Sequence, residues 1–202
     1  SGNDTLMAVE NVIGTIWADE ISGDNNDNII YGNGGDDTLI GLGGNDTYVF
    51  APGWGQVNVI DSSGTDTLDF SALNQDLTFI IGNTLLTVTD GTNMLNNTGV
   101  EIERLIAGSG DDSFKFVGTG VLKGSLDGGA GRNSLDLSAY EKGVNIILSA
   151  WGSQNAYAGS SSTVSGGFDN IGVLIGSPGE DTLSGFNADS IWTLDGDNNS
   201  YR

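Results

Sequence analysis

Acidic and carboxamide residues recur at a fixed interval near the start of the chain, and their oxygen atoms could bind a hard cation. The recurring residues are Asp19, Asn28, Asp37 and Asp46, at intervals of nine residues. A glycine stands five places before each of them, and a large apolar residue stands two places after. Carboxylate, carboxamide and main-chain carbonyl oxygens are the ligands that Ca²⁺ takes in proteins. The spacing therefore predicts a repeated calcium site.

The interval reflects four nonapeptides that run without a gap, at residues 14–22, 23–31, 32–40 and 41–49. Nine residues divide into a six-residue turn and a three-residue strand, and side chains alternate between the two faces of a strand. Stacking would bring the eighth residues together in a thin apolar core. It would also place the sixth residues of the turns beside one another.

A turn without a metal is the simpler interpretation of any single copy, because Asx and Gly are good turn formers. Four copies in register favour a metal, since stacked carboxylates repel one another unless a cation lies between them. Glycine also lets the backbone approach an ion closely or adopt a positive φ. We expect the ion to be structural: it would screen the acids and cross-link adjacent turns.

The composition excludes several other functions. The 202 residues include 27 acidic and 6 basic residues and neither His nor Cys, which gives a formal net charge of −21. Without Cys and His there is no disulfide, no Cys-ligated zinc, no thiol nucleophile and no Ser-His-Asp triad. The negative charge disfavours nucleic acid and anionic membranes, and no apolar run reaches the roughly 18 residues of a membrane span. We therefore expect calcium ions as partners, no nucleic acid and no membrane insertion.

The nonapeptides resemble the G-G-x-G-x-D-x-U-x repeat of RTX (haemolysin-type) calcium-binding proteins. Residues 32–40 and 41–49 match best, although each has one glycine displaced, and Trp17 stands where the first copy should carry a glycine. The resemblance implies an all-β fold, a right-handed parallel β-roll or β-solenoid with Ca²⁺ in the turns.

The same resemblance implies how the ligands pair. Sixth-position residues two turns apart would face one row of ions, which pairs Asp19 with Asp37 and Asn28 with Asp46. The first pair is expected to bind more tightly, because Asn contributes no charge. The predicted ligands are these residues, acidic neighbours, turn glycines and two later acids. They are Asp19, Asn28, Asp37, Asp46, Asp27, Asp36, Gly32, Gly34, Gly41, Gly43, Asp112 and Asp181.

A longer repeat occupies the rest of the chain. GTDTLDFSAL at residues 64–73 recurs as GRNSLDLSAY at residues 131–140, an offset of 67. A second shared segment, residues 104–114, resembles residues 173–183 and contains a turn like the nonapeptide. Between these turns, runs rich in β-branched and apolar residues predict strands at 77–81, 84–89 and 144–148. We predict three parts that form one continuous solenoid: 1–50, 51–118 and 119–202.

The longer units resemble tandem repeats of very large secreted bacterial proteins that carry haemolysin-type segments. This implies a calcium-stabilised structural segment of a secreted surface protein, adhesin or extracellular filament, exported unfolded by a type I machine. Carboxylate repulsion would keep the chain open at low Ca²⁺, and Ca²⁺ outside the cell would stabilise the folded form. The sequence leaves open end-to-end self-assembly, and binding of surface glycans by one or more of Trp17, Trp54, Trp151 and Trp192.

Catalysis is not expected, because acid pairs such as Asp36/Asp37 and Asp111/Asp112 occupy turn positions that the repeat explains. Two alternatives to the structural role remain. One is the calcium-binding C-terminal module of a secreted protease, lipase or epimerase, and the other is a carbohydrate-binding module. A zinc motif or a nucleophile elbow upstream would favour the exoenzyme, and further 67-residue units would favour the structural protein.

Overall fold

The computed structural model describes residues 9–99, 101–154 and 156–186. These residues form nineteen β-strands, and none of them lies in a helix. The strands are β1 (Asn11–Ile13), β2 (Glu20–Ser22), β3 (Ile29–Tyr31), β4 (Asp36–Ile40), β5 (Thr47–Val49), β6 (Gln56–Ile60), β7 (Thr67–Asp69), β8 (Thr78–Ile81), β9 (Leu85–Thr89), β10 (Met94–Thr98), β11 (Arg104–Ile106), β12 (Ser113–Gly118), β13 (Ser125–Asp127), β14 (Ser134–Tyr140), β15 (Asn145–Trp151), β16 (Tyr157–Ser161), β17 (Val164–Ile171), β18 (Val173–Ile175) and β19 (Thr182–Ser184). No helix in this part of the chain is long and apolar enough to cross a membrane.

The strands form two sheets, and the chain passes back and forth between them. Sheet A has the order β1-β3-β5-β7-β11-β13-β17-β16-β15-β19, and sheet B has the order β18-β14-β12-β8-β9-β10-β6-β4-β2. Within the nonapeptides every neighbouring pair is parallel and two repeats apart, as in Ile30 opposite Tyr48 and Ile21 opposite Leu39. Two nonapeptides thus make one full turn, which confirms the predicted parallel β-roll.

The core lies between the two sheets and begins with the eighth residues of the repeats. Ile21, Ile30, Leu39 and Tyr48 are all buried. Beyond them the core becomes aromatic, with Phe50 stacked on Phe70 at a ring-centroid distance of 4.5 Å. Stacked and edge-to-face aromatic pairs each contribute roughly 0.5–1.5 kcal/mol beyond their area. The aromatic side chains therefore fill the wider interior that follows the repeats.

An antiparallel meander interrupts the roll in sheet B, which differs from the wholly parallel arrangement expected. β8, β9 and β10 pair antiparallel, while β10 pairs parallel with β6 and β8 pairs parallel with β12. The links at residues 82–84 and 90–93 are only hairpin turns. Parallel neighbours need a crossover of about a dozen residues or more. These short links therefore keep all three strands in one sheet.

A second meander of β15, β16 and β17 repeats the first, but it lies in sheet A. β15 starts 67 residues after β8, so the two meanders are the same part of the long sequence repeat. From β7 to β14 the chain crosses between the sheets five times. Because five is odd, each part of the second unit lies in the sheet opposite to its counterpart in the first.

Strand pairing continues across the boundaries predicted between the three parts. β4 pairs with β6 across residue 50, and β12 pairs with β14 across residue 118. The two ends of the predicted parts, residues 1–8 and 187–202, lie outside the described residues.

Candidate metal sites

The sixth-position residues of the nonapeptides form two rows, one beside each sheet. The main-chain N–H of Asp19 donates to Asp37 Oδ1 at 3.0 Å, and the N–H of Asn28 donates to Asp46 Oδ1 at 2.8 Å. Each residue therefore contacts the partner that the RTX resemblance implied. The donated hydrogen bond holds each carboxylate over the preceding turn of its row.

The row beside sheet A continues beyond the repeats. The N–H of Asp46 donates to Asp66 Oδ1 at 2.8 Å, and the N–H of Asp66 donates to Glu103 Oε2 at 3.0 Å. Neither Asp66 nor Glu103 was among the predicted ligands. Asp66 occupies the sixth place of a nonapeptide-like segment at residues 61–69, whereas no such segment leads to Glu103. The sequence thus gives Asp66 the same sixth place as Asp112 and Asp181, in a single RTX-like turn before Leu68, and gives no such signal for Glu103.

Three carboxylates meet in this row. Asp46, Asp61 and Asp66 each offer one oxygen, and these oxygens all lie within 4.8 Å of one another. All three residues are buried, and Asp46 and Asp66 are 0% exposed. Asp46 Oδ2 and Asp66 Oδ2 have no hydrogen-bond partner. Since a buried carboxylate oxygen without a partner is strongly unfavourable, this arrangement fits a set of cation ligands.

The side chains around the cluster fix its geometry. Tyr48 donates its hydroxyl to Asp61 Oδ2 at 2.6 Å, and the N–H of Ser62 donates to Asp61 Oδ1 at 2.7 Å. A β-carbon on Gly41 would collide with Asp46 Oδ2, Asp61 Oδ2 and the Tyr48 hydroxyl. Glycine is therefore required at position 41 for space.

Among the described residues, no basic side chain forms a salt bridge with the acids of the cluster. Burial, reinforced by neighbouring carboxylates, raises the pKa of Asp46 to about 6 and the pKa of Asp66 to about 7. The salt bridges of the described ranges join Lys115 to Asp136 and Lys123 to Glu101, away from these acids. A divalent cation would supply the missing positive charge and the missing ligand partners.

A family model described as the RTX calcium-binding nonapeptide repeat, in four copies, matches residues 14–48. These residues are RTX repeats. RTX nonapeptides bind calcium, so Ca²⁺ is the ion that the turns take. The match includes Asp46 and ends before Asp61 and Asp66. No curated protein matches the chain.

The RTX row beside sheet B places its two acids in different environments. Asp37 is buried with Oδ2 unpartnered, and burial raises its pKa. Asp19 instead accepts hydrogen bonds from Thr15 N at 2.6 Å and Thr15 Oγ1 at 2.9 Å, both at Oδ2. Asp37 thus has the free ligand oxygen in this row. Asp19 is held by its own turn.

The two acids of the later RTX-like turns differ in the same way. Asp112 is buried with Oδ2 unpartnered, and burial raises its pKa to about 7. Asp181 accepts hydrogen bonds from Ser177 N at 2.7 Å and Ser177 Oγ at 2.6 Å. The residues beside Asp112 in its row are Leu77 and Asn133. Asp112 is therefore the one carboxylate among these three row positions.

The remaining predicted ligands lie around the RTX turns rather than in the carboxylate cluster. Asp27 and Asp36 are exposed, and Asp27 Oδ1 accepts the N–H of Asn45 at 2.7 Å. Gly34 N donates to Thr15 O, and Gly43 N donates to Asp24 O, so both glycines link stacked turns. Gly32 lies against Asp37 Oδ2 as Gly41 lies against Asp46.

The tryptophans considered for glycan binding differ in how exposed they are. Trp54 is 1% exposed and packs edge-on against Phe70, so it belongs to the core. Trp17 is 73% exposed, and Trp151 is 54% exposed. Trp151 stacks on Tyr157 with ring centroids 5.1 Å apart. Trp192 lies outside the described residues.

Proposed function

We propose that this chain is a calcium-stabilised structural segment of a secreted bacterial surface protein, adhesin or extracellular filament. The observation that carries the proposal is the set of buried carboxylate oxygens without partners, Oδ2 of Asp37, Asp46 and Asp66. They lie in turns whose backbone is otherwise bonded in register. A metal bound in such turns would hold the stacked strands together.

The proposed mechanism is a linkage between calcium and folding. In the folded chain without Ca²⁺, buried acids such as Asp46 and Asp66 would repel one another, whereas in the unfolded chain water solvates them. Ca²⁺ binds the folded turns and stabilises them by about 2.7 kcal/mol per site when its concentration is 100 times Kd. The segment would stay open in the cytosol during type I secretion and fold outside the cell.

The long units favour a structural role over the module of an exoenzyme. The second unit repeats the strands of the first in the opposite sheet, and parallel pairing of β12 with β14 joins the two units. Units of this kind can be added in tandem without a new type of interface. The acids whose pKa burial raises to about 6 or 7, Asp46, Asp66 and Asp112, are buried in the turns, whereas a general acid or base must reach its substrate. We therefore propose no catalytic activity.

Single-molecule force spectroscopy tests the structural role. The chain is pulled from its two ends in Ca²⁺ and in EGTA, and the force of unfolding is recorded. We expect the force to be high in Ca²⁺ and to fall in EGTA or in the Asp37→Ala/Asp46→Ala variant. The exposed acid pair Glu20→Ala/Glu141→Ala, which lies outside the predicted ligands, is the matched control and should keep its calcium-dependent force. Equal forces in Ca²⁺ and EGTA would contradict the proposal.

Glycan binding at Trp151 is a second candidate function. The exposed indole stacked on Tyr157 presents an aromatic surface of the kind that amphipathic ligands contact. A glycan array with the wild-type chain, Trp151→Ala and Trp17→Ala tests it. Signals lost only in Trp151→Ala would support this function, and an array without signals from the wild type would exclude it for the glycans present.

A further inference from the structure

The cluster of Asp46, Asp61 and Asp66 differs in one ligand from the sites within the RTX repeats. Gly43 bridges Ser63, and Thr47 pairs with Thr67, so the turn at residues 61–66 lies directly on the turn at 41–46. In this register the first place, which is glycine in all four repeats, holds Asp61. The row thus gains a carboxylate that the repeat pattern does not contain.

The added carboxylate is directed toward the two unpartnered oxygens. Tyr48 and the N–H of Ser62 each donate one hydrogen bond to Asp61, which leaves both of its oxygens with capacity for a cation. Asp46 Oδ2, Asp61 Oδ2 and the Tyr48 hydroxyl all lie around the position that a β-carbon on Gly41 would occupy, so that any β-carbon there would collide with them. Donors and acceptors are therefore arranged around one small space.

We infer that Asp46, Asp61 and Asp66 form a calcium site of higher affinity than the sites within the repeats, and that this site fastens the RTX repeats to the first long unit. The inference rests on the proposed function, because it assumes that Ca²⁺ occupies the turns. The number of ligand charges and the rigidity of the site set calcium affinity over several orders of magnitude. Three buried carboxylates should also favour trivalent lanthanides.

The position of the site explains why it would act as a fastener. Asp46 belongs to the last matched repeat, whereas Asp61 and Asp66 belong to the first long unit. The main-chain N–H of Asp66 donates a hydrogen bond to Glu103, so the row continues to the turn before β11. An ion here would therefore hold together segments far apart in sequence.

The opposite row has no equivalent junction. Asp37 pairs with Val57 in the next strand, and the turn before that strand contains the buried Trp54 and no acid. Apolar packing therefore closes the roll on the sheet B side, while carboxylates meet on the sheet A side. Calcium control of the junction would depend on the Asp46–Asp61–Asp66 cluster.

Isothermal titration calorimetry of the chelator-treated chain with Ca²⁺ tests the inference. Asp61→Asn removes the charge and keeps one oxygen that can accept the N–H of Ser62, while its amide nitrogen can donate to the Tyr48 hydroxyl. Asp61→Gly restores the residue of the repeat pattern. We expect the wild type to show a tight class of sites that either change weakens by about tenfold or more. Glu141→Gln, which removes the charge of an exposed acid outside the predicted ligands, is the matched control and should bind like the wild type.

A second measurement separates weakened binding from failed folding. Far-UV circular dichroism at saturating Ca²⁺ should show the same β-sheet signal in Asp61→Asn and in the wild type. Rapid mixing with excess EGTA should then release a slow calcium phase from the wild type that is absent from Asp61→Asn. Equal affinities and equal release rates in the two folded proteins would overturn the inference alone. No calcium binding by the wild type would overturn the proposed function and the inference with it.

Discussion

Replacing Asp66 by Asn is expected to stabilise the calcium-free fold and to reduce the further stabilisation that Ca²⁺ gives. The Asn oxygen can still accept the N–H of Asp46, which Asp66 Oδ1 accepts at 2.8 Å. The amide nitrogen would take the place of the unpartnered Oδ2 and can donate to the carboxylate of Asp46 or Asp61. Without Ca²⁺ the change removes a buried charge, and with Ca²⁺ it removes a ligand.

The raised pKa of Asp66 gives the size of the calcium-free effect. Burial raises this pKa from 3.8 to about 7, and each pKa unit corresponds to about 1.4 kcal/mol. Above about pH 8 the ionised side chain therefore destabilises the calcium-free fold by up to about 4 kcal/mol relative to a neutral one. In saturating Ca²⁺, a site weakened by about tenfold would lose about 1.4 kcal/mol of stabilisation. The two effects are opposite in sign and both large enough to measure.

Urea unfolding followed by far-UV circular dichroism measures both effects. Wild type, Asp66→Asn and the exposed control Glu141→Gln are compared in EGTA and in excess Ca²⁺, with trimethylamine N-oxide in all samples if EGTA unfolds the wild type. Asp66→Asn should have the higher midpoint in EGTA, and adding Ca²⁺ should raise its midpoint by less than it raises that of the wild type. A lower midpoint in both conditions would refute the reasoning, because it would mean that the carboxylate stabilises the fold without a cation.

Three further predictions concern pH, backbone strain and the core. In EGTA, the free energy of unfolding should rise as the pH falls from about 8 to about 5, because burial raises the pKa of Asp46 to about 6 and the pKa of Asp112 to about 7. These acids then take up protons in the folded chain before the unfolded chain does; denaturant midpoints that fall with acidification would contradict this. Leu42 has a φ of 79° and is 40% exposed, so Leu42→Gly should stabilise the fold by about 1 kcal/mol, seen as a higher urea midpoint in Ca²⁺. Trp54→Ala should lower the free energy of unfolding by about 3–5 kcal/mol, and Trp17→Ala should lower it by less than about 0.5 kcal/mol. If thermal unfolding shows similar losses of stability in the two variants, Trp54 does not anchor the core.

The fold of the RTX repeats was predictable because the nine-residue period fixes which places are buried and the RTX resemblance implies which repeats are neighbours. Ile30 and Tyr48 occupy the same place two repeats apart and pair as that resemblance implied. The same period gives the positions of the sixth residues, and Asp46 accepts a hydrogen bond from the N–H of Asn28, its expected partner. The period, the residue types and the RTX resemblance together were sufficient for this part of the chain.

The meanders and the third carboxylate depend on information that the nine-residue period lacks. Residue propensity predicted strands in the segments that form β8, β9 and β15, but it does not tell whether neighbouring strands run parallel or antiparallel. The short links at residues 82–84 and 90–93 determine the antiparallel pairing of β8, β9 and β10. Asp61 lies over Gly41 because twenty residues, rather than eighteen, separate these turns. The predicted ligand Asp19 likewise accepts a hydrogen bond from Thr15 in its own turn. This bond competes with a cation for the Asp19 carboxylate, and the repeat pattern gives no sign of it.

Calcium binding by the stacked turns is tested most directly by a Ca²⁺ titration of the chelator-treated chain followed by far-UV circular dichroism. The wild type should gain β-sheet signal as Ca²⁺ is added and lose it again in EGTA. The Asp37→Ala/Asp46→Ala variant, which lacks two of the unpartnered oxygens, should need a much higher Ca²⁺ concentration or gain no signal. A wild-type signal that is the same in EGTA and in Ca²⁺ would contradict the proposed role of calcium in this fold.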